Sequence, residues 1–464
     1  MARSFFRLRA VRPVATAALL VAAAAFVPRG AQPAAAGEPR PPNVLIILTD
    51  DHRASGTMQM MPAVKKWFFG QGTRFTNGYA TTPVCCPSRS TIMTGQYSHN
   101  HGVRTNKDRA QLDHDTTIQA YLDQAGYNTG IAGKMLNGWT VKEDPPHFDR
   151  WAVMAPGDYV RTQFNVEGRK RVVDRYSTEF IAAYASRLIR DFEDQDAKPW
   201  YLYVAPLTPH KPFVIQKEYR NEPVGQWNGN PAVRERNRTD KPLYVQNRDA
   251  TLADGREIRN QQLRMLPSAD DLVSQMFRTI AQNGEKRRTL AIFLGDNGYL
   301  WGEHGLKAKS FPYLASVRVP FAMRWPGHVE AGAVDTRLVA NVDVAPTIVD
   351  AAGVDVAHEL DGRSLLGPHE RNRLLLEAWP ETPTPNWAAL LTDGYHYIET
   401  YDDDTGELTF REYYDLENDP WELVNLLGDG REENDPPADA QTSLRLQVAR
   451  DRQCAGTSGP SACP

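Results

Sequence analysis

Four short runs constrain what this chain can fold into more than any other feature. They are Asn43–Leu48, Asn128–Gly133, Trp200–Ala205 and Thr289–Leu294, and each gives way abruptly to polar residues. The first ends in Thr49-Asp50-Asp51-His52, the second at Lys134, the third in a segment closing on His210, the fourth at Gly295-Asp296-Asn297-Gly298. A run with no polar face suits a strand buried on both sides, as in a parallel sheet covered by helices. Helical stretches alternate with them. Thr117–Gly126 and Glu179–Phe192 read as helices, and Ser268 caps a third through Gln282, with Gly284 as its stop. Residues 214–266, polar with scattered Pro, read as a long surface excursion. The alternation predicts an α/β fold, a mixed and largely parallel sheet sandwiched by helices. After the helix start at Asp343–Val349 the texture changes to shorter β-type runs, Trp387–Leu391, His396–Thr400 and Leu408–Tyr414, then a helix over Ser443–Arg452. That tail predicts a smaller antiparallel sheet plus helix. At 464 residues the chain is long enough for both parts.

Ligands of open α/β sheets bind at the C-terminal strand edge, so the polar strand ends are the place to look for chemistry. Asp50, Asp51, Asp296 and Asn297 form an all-oxygen donor set suited to Ca²⁺ or Mg²⁺, and no Cys/His cluster has zinc spacing. Either pair alone would as readily cap a helix or turn. Val84-Cys85-Cys86-Pro87-Ser88-Arg89 opens what reads as a helix, with Pro in the first turn, where its missing N–H is no loss. Free N–H groups there, with the Arg89 guanidinium, make a local positive field facing any nucleophile derived from Cys85. A buried thiol pair beside a helix start fits the same spacing. Adjacent cysteines make poor staples, because disulfide geometry strains them. Cys454 and Cys463 flank a Gly/Ser/Pro-rich loop, and an exported protein can keep that disulfide.

Export is expected from residues 1–36. Four arginines precede the apolar run Val14–Val27, which is shorter than the roughly 20 residues a membrane span needs, and Ala34–Ala36 offers a cleavage site. No Cys follows that run, which argues against a lipid anchor. A linker follows over 37–42. The net charge of −4 gives no basic field for nucleic acid, so anion binding must be local.

Cys85-Cys86-Pro87-Ser88-Arg89 with Met93-Thr94-Gly95 resembles the sulfatase signature C-x-P-S-R-x-x-x-[LM]-T-G. The resemblance runs from about Asn43 to Leu427. The doubled Cys and Ser98-His99-Asn100-His101 look most like the N-acetylglucosamine-6-sulfatase and heparan 6-O-endosulfatase branch. It implies an alkaline-phosphatase-like catalytic domain over 43–372, an α+β subdomain over 373–453 and a disulfide-closed tail over 454–464. It further implies that a formylglycine-generating enzyme oxidises Cys85 to Cα-formylglycine, and that Asp50, Asp51, Asp296 and Asn297 hold one Ca²⁺ beside residue 85. Arg89, Lys134, His210 and Lys309 match the positions that hold sulfate, the aldehyde and the leaving oxygen. Lys309 is placed by the stretch Gly302 to Pro320, which matches G-x-x-x-x-x-x-K-x-x-x-Y-x-x-x-x-R-V-P; Lys307 competes for the role. Leu136 stands where many arylsulfatases carry a histidine, leaving His99, His101 or Asn137 as substitutes.

The reaction implied is attack on sulfur by an oxygen of the hydrated formylglycine, with His210 or Lys309 protonating the leaving group. The substrate implied is a sulfated carbohydrate of N-acetylglucosamine-6-sulfate type or an aryl sulfate. A phosphodiester or phosphonate hydrolase, and a non-catalytic binder of sulfated glycans, are the competing readings. Trp139, Trp151, Trp227 and Trp301 are candidates to stack on a sugar, each more often found in packing.

Overall fold

The computed structural model describes residues 1, 2, 10, 40–155, 157–194, 198–368, 371–381 and 384–464. The leader expected over 1–36, apart from residues 1, 2 and 10, and residues 37–39 of the linker lie outside the described residues. Ten strands form the main sheet: β1 (Asn43–Thr49), β2 (Thr73–Tyr79), β3 (Asn128–Gly133), β4 (Arg150–Met154), β5 (Thr162–Val166), β6 (Arg169–Val173), β7 (Trp200–Ala205) and β8 (Thr289–Gly295), with two more described below. A two-stranded hairpin, β9 (Leu300–Trp301) with β10 (Lys307–Ala308), precedes the last two, β11 (Phe321–Arg324) and β12 (Ala333–Ala340). The order is β12-β2-β11-β8-β1-β7-β3-β4-β5-β6. β8, β1, β7, β3 and β4 run parallel, while β11 is antiparallel to both its neighbours.

Side chains of a strand alternate between faces, and β1 shows what that does here. Leu45 and Ile47 enter one core, with Ile181, Leu188, Leu263 and Val273 from two long helices. Val44, Ile46 and Leu48 enter the other, with Ile92, Ile118 and Ile348 from three shorter ones. Both faces being covered, the central strands have no polar side to show water, which is why they read as continuous apolar runs.

One expectation needs correction. The third helix does not begin at Ser268 but runs over Leu252–Gln282, so the last part of the 214–266 excursion, from Leu252 to Leu266, is helix rather than surface coil. Thr251 and Asp254 form its capping box, and Leu263, Met265 and Leu266 are buried. Pro267 lies inside it and reads from sequence as a breaker. Packing of an amphipathic face against the Ser177–Glu193 helix outweighs the one backbone hydrogen bond that Pro removes.

The tail forms a second, antiparallel sheet, β13 (Leu374–Ala378), β14 (Trp387–Leu391), β15 (Tyr395–Tyr401) and β16 (Leu408–Asp415), in sequence order, followed by a helix over Ala438–Asp451. It shares a third core with Tyr97, Leu306, Phe311 and Tyr313. Cys454 and Cys463 are disulfide-bonded.

Candidate active site

The parallel register brings the ends of β1 and β8 level, with Thr49 opposite Gly295, and those of β3 and β7, with Gly133 opposite Ala205. The four polar strand ends therefore meet at one edge. Close packing there requires glycine at 133: its φ is +114°, and a Cβ would stand 2.1 Å from the Ala205 carbonyl oxygen. Asp51 also holds a positive φ, 61°, a conformation that costs a non-glycine residue and recurs at functional sites.

Against this edge stands the first turn of a fully buried helix, Cys85–Thr94, capped at its far end by left-handed Gly95. Its two cysteines part company. Cys86 turns into the apolar core, where burial pushes its thiol up to about 11. Cys85 faces the strand ends, with Sγ 3.4 Å from Asp50 Oδ1 and 2.6 Å from Lys309 Nζ. Burial, with the negative charges of Asp296 and Asp50, drives the Cys85 thiol well above the ordinary range. An unmodified Cys85 is therefore a protonated thiol at neutral pH, a weak nucleophile.

Arg89 is the keystone. Its Nε donates to Asp296 Oδ2 at 2.9 Å, one terminal nitrogen to the Lys134 carbonyl at 2.8 Å, the other to Asp50 Oδ2 at 3.3 Å. Lys134 Nζ reaches the same Asp50 oxygen at 2.6 Å. Burial opposes the charge on Asp50, but Lys134, His210, Arg89 and Lys309 together hold its carboxyl far below the usual carboxylate range. Asp296 Oδ1 accepts the Asp51 N–H at 3.0 Å, and Asn297 Nδ2 donates to Asp51 Oδ1 at 2.8 Å. His210 Nδ1 contacts the Lys211 carbonyl oxygen, which can only accept; Nδ1 thus carries the proton and Nε2 faces Asp51, 3.7 Å away.

The structure distinguishes the two lysines. Lys309 Nζ touches Asp51 Oδ1, Asn297 Oδ1 and Cys85 Sγ, whereas Lys307 is half exposed and pairs with Asp254 at 3.2 Å. Ala308 and Ser310, either side of Lys309, both have positive φ. The buried indole of Trp387 on β14 donates to the Ser310 carbonyl at 2.9 Å, so the second sheet fastens the loop that carries Lys309. No sequence signal marks that contact.

Of the substitutes considered for a histidine at Leu136, His99 and His101 are engaged elsewhere. Leu136 itself is core. His99 turns Nδ1 to the Glu377 carboxylate and Nε2 to the Cys454 carbonyl, both acceptors, and His101 bonds Thr91 Oγ1. Asn137 Oδ1 has no partner among the described residues. The four tryptophans pack rather than line the site: Trp301 donates to Gln262 and lies under Arg53, Trp227 meets it edge-on, Trp139 meets His114, and Trp151 donates to Asn165.

The donor set fits a hard divalent cation. Asp50, Asp51, Cys85 and His210 each offer a ligand atom within 4.8 Å of one another, and Asp296 and Asn297 add oxygens beside them. A positive charge, the Lys309 ammonium, already sits among Asp51, Asn297 and Cys85 as a stand-in for a cation. Carboxylate and amide oxygens are the ligands that Ca²⁺ and Mg²⁺ prefer.

A largely parallel sheet in helices, with acids, cations and a Cys-x-Pro-Ser-Arg helix at its C-terminal edge, defines an alkaline-phosphatase-like protein. Residues 42–354 match the Sulfatase family, and residues 302–448 match the C-terminal region of N-sulphoglucosamine sulphohydrolase. The chain belongs to the sulfatase family. It is 33% identical over 369 residues to the extracellular sulfatase SULF-1 homolog of Drosophila melanogaster, covering 74% of this chain and 33% of that protein. It is 25% identical over 481 residues to the N-acetylglucosamine-6-O-sulfatase of Bacteroides thetaiotaomicron, covering 86% and 83%. The chain thus spans about a third of the fly relative's length. A solved structure described as a complex with its substrate D-glucosamine-2-N,6-O-disulfate superposes with a TM-score of 0.76 at 22% identity, over 89% of this chain and 97% of that one.

Proposed function

We propose that this chain is an exported, calcium-dependent sulfatase that hydrolyses the sulfate ester of a sulfated sugar of N-acetylglucosamine-6-sulfate type. The observation that carries the reading is the convergence of Arg89, Lys134, His210 and Lys309 with Asp50, Asp51, Asp296 and Asn297 around Cys85. Such a cluster matches a small tetrahedral oxyanion and a nucleophile at one helix N-terminus. Export rests on the leader-like first 36 residues and on the extracellular relatives. No described helix is long and apolar enough to cross a membrane.

Cys85 Sγ stands in for the oxygen that formylglycine, made by a formylglycine-generating enzyme, would present to sulfur. Ca²⁺ held by Asp50, Asp51, Asp296 and Asn297 would lower that oxygen's pKa and screen the sulfate charge. The remaining work falls to the chain's own side chains. Arg89 fixes Asp50 and Asp296 so that both face residue 85. Lys309, beside Cys85 Sγ, and Lys134, beside Asp50, supply positive charge where the sulfate oxygens gather negative charge in the transition state. His210 sits at the half-exposed side, with Nδ1–H spent on the Lys211 carbonyl. With Nε2 also protonated, the imidazolium can hand that second proton to the departing sugar oxygen.

The test is release of inorganic sulfate from N-acetylglucosamine-6-sulfate and from an aryl sulfate, with an aryl phosphodiester alongside, on protein matured with the oxidising enzyme. Sulfate release that C85A abolishes supports the reading. A larger kcat/KM on the phosphodiester, or no release from either ester, overturns it.

A further inference from the structure

Beside the candidate site lies a pair of arginines that the chemistry above does not use. The loop that carries the first is fixed to the nucleophile's helix. The Asn106 side-chain oxygen accepts the Cys86 N–H at 3.1 Å, and the Asn106 N–H donates to Glu381 Oε2 at 3.0 Å. Two residues before Asn106, the exposed guanidinium of Arg104 lies over the Trp379 ring, 5.1 Å from its centroid. Arg452, just past the Ala438–Asp451 helix, lies over the same ring at 6.0 Å and over Tyr401 at 4.8 Å. Three separate parts of the chain thus bring two guanidinium groups to one half-buried indole, the first of them two residues from the Asn106 that holds the Cys86 N–H.

Among the described residues neither arginine has a carboxylate partner. Arg452 donates to Asn386 Oδ1 at 3.1 Å, and the Arg104 guanidinium lies against the aromatic face. The acids of the same loops are committed elsewhere: Glu381 to the Asn106 N–H, Asp108 to the N–H and hydroxyl of Thr105, Glu377 to His99. An aromatic face holds a guanidinium in place without neutralising it. The planar donor forks of such groups match sulfate or carboxylate oxygens. In a chain of net charge −4 this is a local feature, not a consequence of composition.

We propose that Arg104 and Arg452, carried on Trp379, form a second anion subsite. It takes a sulfate or carboxylate of the same glycan chain whose sulfate ester occupies the site at Cys85. The inference rests on the sulfated-sugar reading above and deepens it: the preferred substrate is a polyanionic oligosaccharide rather than a singly sulfated monosaccharide.

The test pairs a binding titration with a turnover assay on the full chain, comparing wild type with R104Q and R452Q. The probes are a labelled, fully sulfated heparin hexasaccharide, its desulfated counterpart that keeps the carboxylates, and N-acetylglucosamine-6-sulfate. Each variant is expected to bind the sulfated hexasaccharide about tenfold more weakly, as befits loss of a charge-assisted hydrogen bond. Turnover of the monosaccharide stays within twofold of wild type. If the variants also weaken the desulfated probe, a carboxylate is the ligand; if only the sulfated one, a sulfate is. Unchanged hexasaccharide affinity, or equal losses on hexasaccharide and monosaccharide, overturns the subsite. Should wild type release no sulfate from any ester, the proposed function fails, and the titration alone still decides the subsite.

Discussion

Replacing Arg89 by Gln tests the electrostatic centre of the site through stability alone. The wild-type guanidinium is fully buried and makes three hydrogen bonds, to Asp296, the Lys134 carbonyl and Asp50. Asp50 would keep Lys134 at 2.6 Å, so the carboxylate left stranded is chiefly Asp296, whose other oxygen has only the Asp51 N–H. Breaking a buried pair from one side costs about 3–5 kcal/mol, and the surviving Lys134–Asp50 contact puts R89Q near the lower figure, about 3 kcal/mol. The sign with pH follows from both carboxylates: Arg89 holds each toward its charged form, against the burial that raises Asp296, so in R89Q both take up protons at higher pH. The folded-state pKa of Asp50 lies below the ordinary 3.8, so its contribution is present above about that value and is lost as pH falls further. The gap between wild type and R89Q should therefore be largest at neutral pH and narrow in acid. Urea unfolding in the presence of a chelator measures it. Adding D296N to R89Q should recover part of the loss, because the stranded charge is gone. A loss below about 1 kcal/mol, or no recovery with D296N, would refute the reasoning.

Other outcomes follow from the same contacts. K309A should lower kcat by roughly two to three orders of magnitude with the fold intact, while K307A stays close to wild type on the same sulfate-release assay. W387F removes the donor to the Ser310 carbonyl and frees the loop carrying Lys309; its kcat should fall more than its KM rises, and an unchanged kcat would mean the loop holds itself. His101 is buried, which pulls its pKa down to about 3, so the folded protein resists a proton that the unfolded chain takes up below about 6.5. Stability therefore falls as pH drops from 6.5 toward 3, by about 2 kcal/mol at pH 5 for this one group. H101Q should flatten that part of the profile in pH-dependent unfolding.

Much of this was legible from residue order, for physical reasons that differ by element. The four central strands announce themselves because both their faces are buried, and their ends had to coincide once the strands were parallel. Asp50-Asp51 and Asp296-Asn297 could thus be placed at one edge from sequence. The helix over Leu252–Gln282 begins well before the Ser268 cap that the sequence suggests, and only the packing of Leu263 and Leu266 shows its first half. Which lysine enters the site depends on a loop whose shape is fixed from outside, by Trp387 in another sheet, and local sequence carries no trace of that. Arg104, Trp379 and Arg452 were illegible for the same reason: each comes from a different part of the chain, and tertiary structure alone makes them neighbours.

The central claim is that Cys85 is the precursor of the nucleophile and not itself the reacting group. Its most direct test is the mass of the tryptic peptide 75–89 from the exported protein, before and after treatment with a hydrazine reagent. The account predicts loss of the Cys85 sulfur and an aldehyde that the reagent traps, with Cys86 unchanged. A peptide bearing both thiols in protein that releases sulfate would contradict it.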